Sequence, residues 1–272
     1  MSVRVGCGLS TDADVRTGAA QAAEEARHEL DGLPVDLAVV FATGAHLAAP
    51  EASLEGVHEE LAPDVLVGCG AGGVLATGRE VEGGTALAVW AASFGDEASV
   101  SAFHAEVETN GSESHIVGLP DLAGSAGAVL IPDPYSFPTD VVLAALHQRS
   151  PEVPVLGGLS SARTLDGTPA LFFGEEVVES GAVGVIFEGV EVIPCVSQGA
   201  RPIGPDLTIT SADGHVIQTL DDRPAMEVLR DTIEGLSEDE RGLIAHGLLL
   251  GLRVESPGSP EDRPEYLVRG LL

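Results

Sequence analysis

The chain has 272 residues, 44 % of them apolar but only 4 % aromatic, so a large core built from Val, Leu, Ile and Ala is predicted. Its 43 acidic residues against 13 basic ones leave a net charge of −30, a field that repels nucleic-acid backbones and anionic membrane surfaces. Every basic residue is arginine, and without lysine a standard P-loop, a protein-kinase site and a pyridoxal-phosphate Schiff base are all excluded.

The chain opens on a strand-like alternation, Met1-Ser2-Val3-Arg4-Val5-Gly6, with no basic-then-apolar leader. No apolar run approaches the roughly 20 residues of a membrane span. Residues 13–31 place alanines and Leu30 on one side and Glu24, Glu25, Arg27 and Glu29 on another, which predicts an amphipathic helix stopped by Gly32-Leu33-Pro34. A buried strand follows over 36–43, a helix over 51–61 entered through Pro50, and a strand over 64–69. Residues 85–94 and 99–107 read as a hairpin turned at Gly95-Asp96-Glu97, and 110–114 as a polar loop. The pattern then recurs: strand 127–131, helix 139–148, strands 153–156 and 170–173, and a hairpin of 182–187 with 190–196.

That recurrence extends to residue identity. Leu66-Val67-Gly68-Cys69-Gly70-Ala71-Gly72 is matched ninety positions later by Leu156-Gly157-Gly158-Leu159-Ser160-Ser161-Ala162, and Val39-Val40-Phe41 by Val129-Leu130-Ile131. The expectation is an internal duplication whose small-residue loops share a cleft.

After Pro202 the texture changes. Asp213-Gly214 turns a hairpin of 207–212 with 215–220, a helix spans 224–236, and strands 247–255 and 266–272 flank a Pro/Ser/acid loop. The apolar last strand suggests a chain shortened relative to a complete second domain. The fold class is α/β in the mixed α+β sense: duplicated, layered, partly antiparallel sheets with outer helices over residues 1–200, then a smaller α+β segment over 201–272. Cys7, Cys69 and Cys195, odd in number and far apart, predict a reducing, cytoplasmic setting.

Four patches carry functional residue types. Gly68, Cys69 and Gly70 form a loop that lets a ligand approach closely, although a plain glycine turn reads equally well. Asp133, Tyr135 and Ser136 stand on a proline-stiffened strand end, where binding groups or helix caps are both expected. Gly158, Ser160 and Ser161 repeat the first loop with added hydroxyls, without the spacing of a nucleophile elbow. Ser197, Gln198 and Arg201 suit a carboxylate, or Arg201 makes an internal ion pair. Scattered histidines support no metal site, no cofactor is expected, and Cys69 reads as buried filler more readily than as a nucleophile.

At these patches the sequence resembles the FIST family of bacterial sensory domains. The carrying residues are Val67 to Gly73, Asp133-Pro134-Tyr135-Ser136-Phe137-Pro138-Thr139-Asp140, Gly157 to Ala162, Ser197 to Gly204 and the Asp213-Gly214 hairpin. The resemblance covers residues 34–200 as an N-terminal FIST domain and those from 201 as the first part of a C-terminal one. It departs at Gly70-Ala71, where the family usually has a hydroxyl, and at Ala200, where cysteine is common. It implies a small-ligand sensor, plausibly for amino acids, with no catalytic residues. Its output would pass through a separate signalling protein or self-association. The alternatives are a cysteine- or serine-dependent enzyme and a protein-interaction scaffold.

Overall fold

The computed structural model describes residues 3–76, 78–111, 113–195, 200, 202–244, 247–254 and 265–271. The chain divides into two units, Met1–Pro194 and Cys195–Leu272. In the first, β1 (Arg4–Ser10) leads to α1 (Val15–Glu29), β2 (Leu37–Thr43), α2 (Pro50–Leu61) and β3 (Val65–Gly70). The small hairpin β4 (Gly73–Ala76) and β5 (Arg79–Glu82) precedes β6 (Ala86–Ser93), β7 (Ser99–Asn110) and β8 (Glu113–Val117). Then come β9 (Gly127–Pro132), α3 (Thr139–Arg149), β10 (Val155–Gly157), β11 (Leu171–Phe173), β12 (Glu176–Val178) and β13 (Ala182–Glu188).

Two sheets result, ordered β1-β6-β2-β3-β11-β12 and β10-β9-β13-β7-β8. Alternation along β2 sets the layering. Ala38, Val40 and Ala42 face α1 and α2, while Leu37, Val39 and Phe41 face the second sheet. There they join Val67, Cys69 and Leu171 against Ile131, Val183, Val185 and Phe187. The outer face of the second sheet takes Phe137, Val142 and Leu146 from the α3 region. The first unit is therefore four layers deep, helices outside and two sheets within. Helix α1 can seat closely because Gly6 and Gly8 lack side chains: a Cβ at either would overlap the Ala26 or Ala22 carbonyl. Among the described residues no helix is long and apolar enough to cross a membrane.

The duplication is visible as topology. In each copy the strand before the helix pairs parallel with the strand after it and antiparallel with a third: β3-β2-β6 and β10-β9-β13. The ninety-residue offset, however, does not survive the helix. Val40 lies opposite Gly68, while Leu130 lies opposite Gly157, so the second copy is one residue shorter there. Gly157 rather than Gly158 is the counterpart of Gly68. A side chain at either Gly68 or Gly157 would overlap the carbonyl of the neighbouring strand, which explains glycine at both.

Three sequence expectations are corrected. The 85–94 and 99–107 strands do not form a hairpin, because β6 is flanked by β1 and β2 and β7 belongs to the other sheet. Gly95, at φ 79°, starts the connection between sheets. Of the polar 110–114 stretch, Asn110 closes β7 and pairs with Glu113, where β8 begins. Residues 190–195 do not pair as a strand, and Val190 and Val192 instead pack onto the core.

The second unit contains β14 (Ile209–Asp213), β15 (Val216–Leu220), the short β16 (Arg223–Pro224), α4 (Ala225–Gly235), α5 (Glu238–Ile244) and the pair β17 (Leu249–Val254) and β18 (Glu265–Gly270). The expected Asp213-Gly214 turn joins β14 to β15 antiparallel, with Gly214 at φ 56°. Helix α5 was not expected from the sequence.

Candidate functional site

The two repeated loops meet at Gly70. Its carbonyl accepts from the Ser160 hydroxyl (3.2 Å) and from the Ser161 and Ala162 amides (both 3.3 Å). The Gly72 amide donates back to Ser161 Oγ at 3.0 Å. Ser160 N also donates to the Pro132 carbonyl at the end of β9 (2.9 Å), so the loop after β10 ties β3 of one copy to β9 of the other.

Beside this junction lies Asp133, 1 % exposed at the end of β9. Its Oδ2 accepts from Tyr135 N (3.2 Å), Ser136 N (2.9 Å) and the Ser136 hydroxyl (2.7 Å), an Asx-type turn that starts the loop into α3. Ser136 Oγ in turn accepts from Gly181 N at 2.9 Å. Three local donors do not balance a buried charge. Arg163 does so, with its Nη2 3.0 and 3.2 Å from Asp133 Oδ1 and Oδ2. Arg163 Nη1 donates to the Gly167 carbonyl at 2.7 Å, and the guanidinium lies 4.6 Å from the Tyr135 ring centroid. Its position is set by a closed turn in which Thr164 N donates to Thr168 O (3.0 Å).

These groups border an open hollow of about 840 Å³ lined by Pro134, Tyr135, Leu159, Ser160, Ser161, Ala162 and Arg163. That volume suits a small organic molecule. Of the residues singled out in the sequence, Tyr135, Ser160 and Ser161 line the hollow, and Asp133, Ser136 and Gly70 brace it from behind. Gly68 and Cys69 lie inside the sheet at its back. Gly158 is exposed and outside the lining, with open space where a side chain would start. Ser197, Gln198 and Arg201 lie outside the described residues. The cation the sequence reading missed is Arg163. It directly follows Ser160-Ser161-Ala162 and is one of 13 basic residues in an acidic chain, which was the available signal.

Cys69 is 3 % exposed, and burial pushes its thiol up to about 12 against the opposing pull of a Ser160 hydrogen bond. At pH 7 only about one molecule in 10⁵ carries the thiolate that would act as nucleophile. Mild alkylation at pH 7 is therefore expected to modify exposed Cys195 and to leave Cys69 intact, as read by peptide mass. Rapid labelling of Cys69 would contradict this environment.

His46 is fully buried, with Nδ1 2.9 Å from Ser53 Oγ. Burial lowers its pKa below the ordinary 6.5, and the Asp12 carbonyl and charge only partly offset this. The folded chain thus holds His46 neutral while the unfolded chain takes up a proton. The stability this confers is complete above about pH 6.5 and declines as pH falls below it. Between pH 7.5 and 5.5 the melting temperature is expected to fall more for the wild type than for His46→Gln; equal slopes would contradict the assignment.

The family model of the FIST N domain matches residues 36–223. An uncharacterized protein of Mycobacterium tuberculosis is 38 % identical over 271 residues, covering 99 % of this chain and 70 % of its own length. An uncharacterized protein of Mycobacterium bovis is 36 % identical, covering 99 % of this chain and 69 % of its own.

Proposed function

The chain belongs to the FIST family, a family of sensory domains, and from that premise we propose that it is an intracellular sensor binding a small molecule of amino-acid size. The ligand occupies the hollow beside Tyr135 and Arg163. The observation that carries this reading is the meeting of the repeated loops at Gly70, with the buried Asp133 carboxylate paired to Arg163 along one wall. Such a site is rigid before any ligand arrives, which limits the ordering cost of binding. The protein acts without catalysis: Ser160 spends its proton on the Gly70 and Ala162 carbonyls, and Cys69 is held as a thiol. Its output runs through a separate signalling protein or through self-association.

A scan of melting temperature against the amino acids and small carboxylates tests the reading. At a ligand concentration 100 times Kd, stabilisation is about 2.7 kcal/mol, or a rise of roughly 5–10 °C for a unit of this size. Tyr135→Ala, on an exposed ring, should weaken the response without unfolding the protein. No rise with any compound would count against the sensor.

A second reading, an interaction scaffold, is favoured by the exposure of Tyr135 (83 %) and Leu165 (82 %) on either side of Arg163 in sequence. It predicts that no small molecule raises the melting temperature and that Leu165→Asp abolishes partner binding.

A further inference from the structure

We propose that the hollow selects a planar aromatic ligand without net charge, an aromatic α-amino acid in its zwitterionic form, stacked on the outer face of Tyr135. This rests on the reading of the hollow as a ligand site and narrows the class of its ligand.

The first argument is charge. Arg163 is the one cation among the described lining residues, and it is already committed. Its Nη2 spans both oxygens of Asp133 and its Nη1 holds the Gly167 carbonyl. Asp133 cannot swing aside for a competing anion, because three donors of its own loop fix Oδ2 in a buried position. The pair is neutral as a unit, and the chain around it carries a net charge of −30. A free anion therefore meets repulsion at long range and no unpaired cation at short range.

The second argument is shape. The guanidinium covers one face of Tyr135 at 4.6 Å, while the ring as a residue is 83 % exposed, so its other face is open to a ligand. A cation beneath the ring draws on its π-density and makes the outer face a poor seat for a second cation, but a good one for an aromatic plane. Pro134, Ala162 and the half-exposed Leu159 supply apolar wall for such a plane. Ser161 supplies the polar anchor. Its Oγ accepts from Gly72 N, which leaves the hydroxyl proton for a ligand carboxylate whose charge is balanced by its own ammonium.

Isothermal titration of the wild type with tryptophan, phenylalanine, leucine, glutamate and benzoate at one ionic strength tests the proposal. Tryptophan and phenylalanine are expected to bind at least tenfold more tightly than leucine, glutamate or benzoate. Tyr135→Phe should keep that preference, and Tyr135→Ala should bring tryptophan to the level of leucine. Glutamate or benzoate binding as tightly as tryptophan would overturn the ligand class while leaving the hollow a site, and so would an unchanged preference in Tyr135→Ala. Failure of all five to bind would also overturn it, and the broader melting-temperature scan then decides separately whether the hollow binds anything.

Discussion

Gly157→Ala is expected to cost about 3 kcal/mol or more, whereas Gly158→Ala should change stability by less than about 0.5 kcal/mol. The two residues are adjacent and identical, yet their surroundings are opposite. Gly157 has φ 142°, a backbone state that side chains other than glycine rarely adopt, and a Cβ there would overlap the Leu130 carbonyl. Neither the strand nor its neighbour can yield without breaking the β9–β10 ladder. Strain of about 1–3 kcal/mol from the backbone and a similar amount from the overlap both apply. Gly158 has open space around it and no positive φ. Gly68→Ala, opposite the Val40 carbonyl in the first copy, has no positive φ and should cost about 1–3 kcal/mol from the overlap alone. Denaturant unfolding of the three variants measures this. Equal stabilities for Gly157→Ala and Gly158→Ala would refute the one-residue register shift between the copies.

Arg163→Ala should destabilise the first unit by about 3 kcal/mol, lowering its melting temperature by about 8 °C. The cost arises less from the lost attraction than from a carboxylate left buried without its counter-charge. It falls toward the lower end for a broken buried pair because the Arg163 side chain is 33 % exposed and Asp133 keeps three donors of its own loop. Asp133→Asn in the Arg163→Ala background should recover part of the loss, since it removes the stranded charge and preserves an acceptor for the turn. Additive losses in that double variant would show that the two side chains do not interact in solution.

Much of the fold was legible because the uninterrupted apolar runs of β2, β6 and β13 and the three-to-four spacing in α1 report burial directly. The repeated small-residue loops likewise pointed to two segments that meet at Gly70. What the sequence concealed depends on long-range pairing. Nothing local to Gly95-Asp96-Glu97 distinguishes a hairpin turn from a passage between sheets, because the choice is made by β1 and β2 occupying both edges of β6. The sequence reading reached only part of this side-chain cluster for a similar reason. Asp133 and Ser160 stood out by loop chemistry, but Arg163 is thirty residues from Asp133 and becomes its partner only when β10 pairs with β9. The one-residue slip at Gly157 was hidden by the double glycine, which allows either alignment by identity.

Hydrogen exchange with and without an amino-acid mixture interrogates the paired loops most directly. Slower exchange appearing together in segments 133–137 and 158–163, with segment 15–29 unchanged, is the predicted result. Unaltered exchange at both loops, or protection confined to other segments, would contradict a ligand site at their junction.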